Sequence, residues 1–224
     1  MAAVRGRIDE ACRRAGRDPA EVELIVVTKF HPPALALELH RLGVRDLGEN
    51  RHPEARDKAL AVDAELPAGE PRPRWHFIGQ VQTKKARQIA RYAHSIHSVD
   101  RPGLVDALRG IERAEPLEVF VQLSLDDDRA RGGVAPEGLL PLVERVLETP
   151  SLRLRGLMHV APLDMPAERA FATVRELSER VRELEPAADA LSMGMSGDFG
   201  SAISQQATHL RIGAAITGKR PPGP

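Results

Sequence analysis

Short runs of β-branched and other aliphatic residues recur along the chain, separated by longer stretches that mix apolar and charged positions. The first run, Val22-Glu23-Leu24-Ile25-Val26-Val27-Thr28-Lys29, is β-branched from Ile25 to Thr28 and predicts a buried strand whose last residue carries an amine. Pro32-Pro33 then opens a helix over 34–42 that stops at Gly43. Further strands are predicted over 44–47, 74–78, 95–99, 117–123, 152–160, 190–193 and 208–212. Gly48-Glu49-Asn50 is read as the end of the second strand, followed by a charged helix and the breaker cluster 67–73. The remaining intervals carry helical patterns over 83–92, 135–147, 165–184 and a short segment around 198–205, and Asp100 is a good N-cap for one more.

Strands that alternate with helices pair in parallel through right-handed crossovers. About eight such units in 224 residues match the lower size range, roughly 200 residues upward, of a (β/α)8 TIM-type barrel. A doubly wound open sheet competes, but it usually has fewer strands, and no Gly-x-Gly-x-x-Gly follows the first strand. With no Gly/Ser-rich linker, the expectation is one α/β domain spanning 1–224, with an extra N-terminal helix over 2–15. Only 219–224 follow Gly218, too few for a normal eighth helix, and the N-terminal helix is a candidate cover for that gap.

Composition narrows the partners. Thirty-two basic residues balance thirty-two acidic ones, so nothing steers the chain toward nucleic acid or anionic membrane. The single cysteine, Cys12, excludes an internal disulfide, and its polar helical setting reads as that of a bystander. No apolar run approaches membrane-spanning length, and the N-terminus lacks the apolar core of a signal peptide. It is arginine-rich, as transit peptides are, but Asp9 and Glu10 argue against one, so a cytoplasmic location is the default expectation.

In a barrel of this kind the C-terminal strand ends build the site. The polar residues there are Lys29, Asn50, His76 and Gln80, His97, Ser124, His159, Ser196 and Arg211, with Lys84 and Lys85 just beyond strand three. Taken alone, a strand-end lysine is most often a packed stem with a hydrated head. Lysine amines in such places also form Schiff bases with carbonyl compounds. Strand seven leads into Met193-Gly194-Met195-Ser196-Gly197-Asp198 and strand eight into Arg211-Ile212-Gly213-Ala214-Ala215, two turns whose amides can cradle a phosphate. Together with Lys29 they favour a phosphorylated aldehyde as ligand. His76 lies on an alternating strand and faces either inward or outward, while His31, His40, His52 and His94 read as solvated. No His/Asp/Glu spacing suggests a metal site, Ser192 and Ser196 lack the hydrolase elbow, and Asp126-Asp127-Asp128 reads as a solvated loop.

Eight strings then occur in a shared order: Val26-Val27-Thr28-Lys29, Leu47-Gly48-Glu49-Asn50-Arg51, Trp75-His76-Phe77-Ile78-Gly79, His97-Ser98-Val99-Asp100, Arg155-Gly156-Leu157-Met158, Leu191-Ser192-Met193-Gly194-Met195-Ser196, Asp198 with Ala202-Ile203, and Arg211-Ile212-Gly213. In these the chain resembles the pyridoxal phosphate homeostasis protein family, whose fold is similar to the N-terminal barrel of alanine racemase. The resemblance implies pyridoxal 5′-phosphate (PLP) held as a Schiff base on Lys29. It implies a phosphate cradle of Ser196 with the Gly213 and Ala214 amides, Arg211 facing the pyridine nitrogen, and Asn50 and His76 near the ring. It also implies a monomer that buffers the cofactor and passes it to PLP-dependent apo-enzymes. The chain departs from the family pattern at Lys84, where the family has an asparagine within Gln-x-Asn-Lys, at Ser124, at Arg131, at Gln206-Ala207-Thr208 and at Thr217, which leaves open any handover role of the strand-three and strand-five loops.

An arginine cannot accept a proton, so opposite the pyridine nitrogen it weakens the electron sink that PLP enzymes use. Racemisation also needs acid/base groups on both faces of the substrate carbon, and in alanine racemase the second comes from another domain. The expectation is therefore a carrier. A PLP-dependent racemase using Lys29 and His76, or a phosphosugar aldolase with a Schiff-base lysine, are the alternatives.

Overall fold

A computed structural model describes residues 1–126 and 131–218. Asp127 and Asp128 of the acidic loop, and the tail 219–224, lie outside the described residues. The expected strands close into one barrel of eight parallel strands in sequential order, a TIM-type (β/α)8 fold. They are β1 (Glu23–Val27), β2 (Asp46–Glu49), β3 (Arg74–Phe77), β4 (Ser95–Val99), β5 (Leu117–Leu123), β6 (Leu152–His159), β7 (Ala190–Ser192) and β8 (His209–Ile212). The ring closes where β1 pairs with β8, Ile25 opposite Arg211.

Nine α-helices lie among the described residues: α1 (Ala2–Arg14), α2 (Pro33–Arg41), α3 (Glu54–Glu65), α4 (Ala86–Ala90), α5 (Pro102–Leu108), α6 (Leu139–Leu147), α7 (Ala167–Leu184), α8 (Phe199–Ser204) and α9 (Ala214–Thr217). Their apolar faces bury against the outward residues of the strands. Val119, Val121 and Leu123 of β5 join that outer core, whereas Phe120 forms a small separate cluster inside the barrel with Met158 and Ala190. The split follows from period-two side-chain alternation in a strand. None of the helices is long and apolar enough to cross a membrane.

Several boundaries differ from the sequence expectation for identifiable reasons. The second strand covers 46–49 rather than 44–47, because Gly48 lets β2 approach β1: a Cβ there would sit 3.0 Å from the Ile25 Cγ2 and 3.2 Å from the Val27 Cγ2. The helices expected over 83–92 and 135–147 each begin as one 3-10 turn, Thr83–Lys85 and Pro136–Gly138, before α4 and α6. A single helical turn, α9, stands where no eighth helix was expected. The N-terminal helix packs on α8, and its Val4, Ile8 and Cys12 bury in the outer core. Cys12 is thus a core residue rather than a bystander on a polar helix. His40 is also buried, not solvated, and hydrogen-bonds Glu70 (2.9 Å) at the end of α2.

Gly156 marks the tightest approach in the sheet. It sits at φ +144°, and a Cβ would fall 1.9 Å from the Ala190 carbonyl oxygen of β7. Gly156→Ala should destabilise the fold by at least about 2 kcal/mol, since both the backbone angle and the β6–β7 contact oppose it. Urea unfolding would read this as a lower midpoint at unchanged slope.

Candidate functional site

At the C-terminal mouth β1 ends at Val27, two residues before the lysine, and the chain turns out of the ladder. Thr28 remains buried and Lys29 is exposed, so the amine is not the buried strand terminus that the apolar run suggested. Phe30 follows at φ +68°, its amide donating to Glu54 Oε1 at 3.2 Å. The Lys29 Nζ lies 5.9 Å from the centre of the Phe30 ring, with the Arg51 guanidinium over the same ring at 4.9 Å.

A buried ion pair anchors this turn from beneath. Lys58 of α3 donates to Glu49 Oε1 at 2.5 Å and to the Thr28 carbonyl at 2.8 Å, and the Thr28 hydroxyl donates to the same carboxylate oxygen at 2.7 Å. Both charged side chains are at most 3% exposed. Burial pushes the Glu49 carboxyl above its ordinary range, against the pull of Lys58. Neither Glu49 nor Lys58 was singled out in the sequence, because only the packing of α3 on the end of β2 brings the two charges together.

A cavity of about 170 Å³ opens beside the lysine, lined by Val27, Lys29, Phe30, His31, Gly213 and Ala214 among others. Among the described residues no side chain caps α9; the Ile216 and Thr217 amides donate to the Gly213 carbonyl, which leaves those of Ala214 and Ala215 without an intrahelical acceptor. Lys29 and the strand-eight turn are therefore brought together. Ser196 lines a neighbouring cavity on the α1 side with Arg7 and Asp198, and the Asp198 carboxylate already accepts the Met195 amide at 2.6 Å. Asn50 lines a third cavity with Gln80, Gln82 and Lys85, and its buried Oδ1 has no hydrogen-bond partner among the described residues.

Arg211 points into the barrel and is buried. Its Nη1 donates to the Ser192 carbonyl (2.5 Å) and hydroxyl (2.7 Å), and its Nη2 to the His159 carbonyl (2.8 Å). Burial lowers its pKa to about 10, which still leaves it charged at neutral pH. Below it the barrel interior is polar. His97 Nδ1 lies 2.8 Å from Ser192 Oγ, and its Nε2 lies 2.9 Å from Ser95 Oγ and 3.0 Å from His76 Nδ1. His76 Nε2 is 2.9 Å from Asp46 Oδ1, and Arg74 grips the same carboxylate.

The structure therefore resolves the orientation of His76: it faces inward, with both ring nitrogens engaged below Arg211. It is not among the residues lining the Lys29 cavity. Asp46, Ser95 and Ser192 were missed; Ser95 alone has an inward polar neighbour two residues along its strand, His97, whereas the even-spaced neighbours of Asp46 and Ser192 on their strands are Gly48 and Ala190. His159 Nδ1 donates to the Leu123 carbonyl at 2.9 Å, with its ring edge-on to Phe171 of α7. Of the departures from the family pattern, Ser124 and Arg131 both bind Asp126, and Arg131 also donates to the Val160 and Ala161 carbonyls.

With this geometry in hand the comparisons are direct. The alanine racemase N-terminal domain model matches residues 1–221. A Pseudomonas aeruginosa pyridoxal phosphate homeostasis protein is 43% identical over 98% of this chain and 94% of its own, and a Mycobacterium tuberculosis one is 40% identical over 98% and 91%. The chain belongs to the pyridoxal phosphate homeostasis protein family. Among solved structures, PipY of Synechococcus elongatus PCC7942, determined with PLP bound, superposes at a TM-score of 0.76 with 31% identity, covering 94% of this chain and all of that one. Alanine racemase from Corynebacterium glutamicum shares the fold at a TM-score of 0.70 with 16% identity, and this chain spans 59% of it.

Proposed function

We propose that this chain binds pyridoxal 5′-phosphate as a Schiff base on Lys29 and serves in PLP homeostasis as a carrier. The observation that carries the reading is the Lys29 cavity, where one amine and the uncapped turn at Gly213 and Ala214 share a small space. The residues fit the cofactor: an amine for its aldehyde, amides for its phosphate, a buried cation in Arg211 and a buried oxygen on Asn50 that has no partner among the described residues. The bound cofactor supplies an aldehyde and an electron-accepting ring. Lys29 would hold the aldehyde through its amine. Gly213 and Ala214 would hold the phosphate from the strand-eight turn, with Ser196 contributing. Arg211, having no lone pair to accept a proton, would disfavour a protonated pyridine nitrogen.

The same features argue for holding over turnover. A racemase that relies on His76 needs a free ring nitrogen beside the substrate carbon, and both nitrogens of His76 are engaged inside the barrel. We read the chain as one unit, a cytoplasmic monomer that hands PLP to PLP-dependent apo-enzymes. Borohydride reduction of the PLP-loaded protein followed by peptide mapping should place a pyridoxyl group on Lys29. A pyridoxyl group on another lysine, or brisk hydrogen exchange at the Cα of added amino acids, would overturn the reading.

A further inference from the structure

Arg211 is a buried cation whose hydrogen bonds, among the described residues, all go to uncharged oxygens. An isolated buried charge is costly unless it is compensated. The charge of Asp198 offsets part of that cost, and a second carboxylate, Asp46, is joined to Arg211 through the barrel by hydrogen bonds. From Arg211 the contacts run to Ser192 Oγ (2.7 Å), His97 (2.8 Å), Ser95 Oγ (2.9 Å), His76 (2.8 Å) and Asp46 (2.9 Å). Asp46 is the first residue of β2 and Arg211 the third of β8, so the chain of contacts runs from the base of the barrel toward its mouth. All the intermediate side chains are buried.

Hydrogen-bond counting gives this chain one direction. Burial pushes the Asp46 carboxyl up, but the bonds from His76 and Arg74 outweigh it and hold it at about 2, so it accepts only. His76 Nε2 therefore carries the proton. Burial lowers the pKa of both imidazoles, so each is neutral and has one acceptor nitrogen. His76 Nδ1 is then an acceptor and needs a donor. At the other end Arg211 can only donate, so Ser192 Oγ accepts from it and turns its own proton to His97 Nδ1. His97 is left with Nε2–H, which faces Ser95 Oγ, and Ser95 passes its proton to His76 Nδ1. The opposite tautomer of His97 would take the Ser95 proton for itself. His76 Nδ1 would then have no donor at all.

We propose that this one-way chain, anchored on Asp46, is the positioning device for Arg211, and that His76, His97 and Ser192 act on the cofactor through it rather than by contact. The carboxylate at the base orders every dipole between it and the guanidinium, which fixes how the arginine meets a ligand ring. The link to PLP rests on the proposed function; the order of the chain does not.

The test therefore begins on the ligand-free, 15N-labelled wild-type protein, with long-range 1H–15N correlation of the histidine rings. His76 and His97 should both be Nε2–H tautomers, and an Nδ1–H tautomer at either overturns the proposal. PLP is then titrated into Asp46→Asn, which keeps the shape but releases the fixed acceptor, and into Ser192→Ala at the opposite end. Each should bind PLP roughly 10-fold more weakly. The pH midpoint of the bound chromophore should rise, because a loosened arginine opposes ring protonation less. A folded Asp46→Asn protein with wild-type affinity and midpoint overturns the coupling. If that variant does not fold, Ser192→Ala and the wild-type tautomers still decide the matter. Absence of any chromophore in the wild type counts against the PLP reading and leaves the tautomer result standing.

Discussion

Acidification from pH 7 to pH 5 should remove several kcal/mol of folding free energy. Burial lowers the pKa of His159 to about 4 and of His209 to about 3, from an ordinary 6.5, and it lowers His76 and His97 in the same direction. Below pH 6.5 the unfolded chain takes up protons that the folded chain refuses. Stability is thus complete above 6.5 and falls with pH until each folded-state value is reached. One such histidine costs about 1.4 kcal/mol per pH unit, or about 2 kcal/mol at pH 5. His159 and His209 together account for about 4 kcal/mol, with the other two adding to it, against a typical total of about 5–15 kcal/mol. Asp46 does not share in this, because at about 2 its carboxylate keeps its partners until far lower pH. Melting curves at pH 7.5, 6 and 5 at constant ionic strength check the slope, and an unchanged Tm between 7 and 5 would contradict it.

Lys58→Met should be the most damaging single substitution near the mouth. It strands the Glu49 carboxylate in a buried setting where one of its oxygens already lacks a partner among the described residues. Removing one member of a buried pair costs about 3–5 kcal/mol, whereas replacing both by apolar residues is often near neutral. The double variant Glu49→Leu with Lys58→Met should therefore unfold in urea close to the wild type. It should still bind PLP more weakly, because Thr28 loses both its carbonyl donor and its hydroxyl acceptor immediately before Lys29. Equal stability losses in the single and double variants would show that the pair is not the anchor.

How far the site was legible depends on the kind of signal each residue leaves. Lys29 interrupts an apolar run, and the turns at Ser196 and Gly213 carry small residues at strand ends, so local pattern marks all three. Asp46, Ser192 and Lys58 leave no such mark, and Ser95 leaves only its alternation with His97. Each is an ordinary polar residue whose importance comes from a neighbour far along the chain: Ser192 meets His97 across 95 residues, and Lys58 meets Thr28 across 30. The boundary errors have the same origin. Gly48 and Glu49 have turn-like composition, yet they pair as strand because β1 and β3 close on either side of them.

Alternation of short aliphatic runs with helical stretches was enough, by itself, to determine eight parallel strands and the barrel that they close. Side-chain period and chain length leave few other ways to bury those runs. The sequence also marked Lys29 and the Gly213 turn as strand ends, and the structure brings those two together at one cavity. Only the tertiary structure decided that Lys29 stands exposed over a buried Glu49–Lys58 pair, and that His76 lies inside the barrel in a chain reaching Arg211. Those are facts of burial and of hydrogen bonds between distant strands. They arise only once the barrel has closed and each polar group must find a partner in place of water.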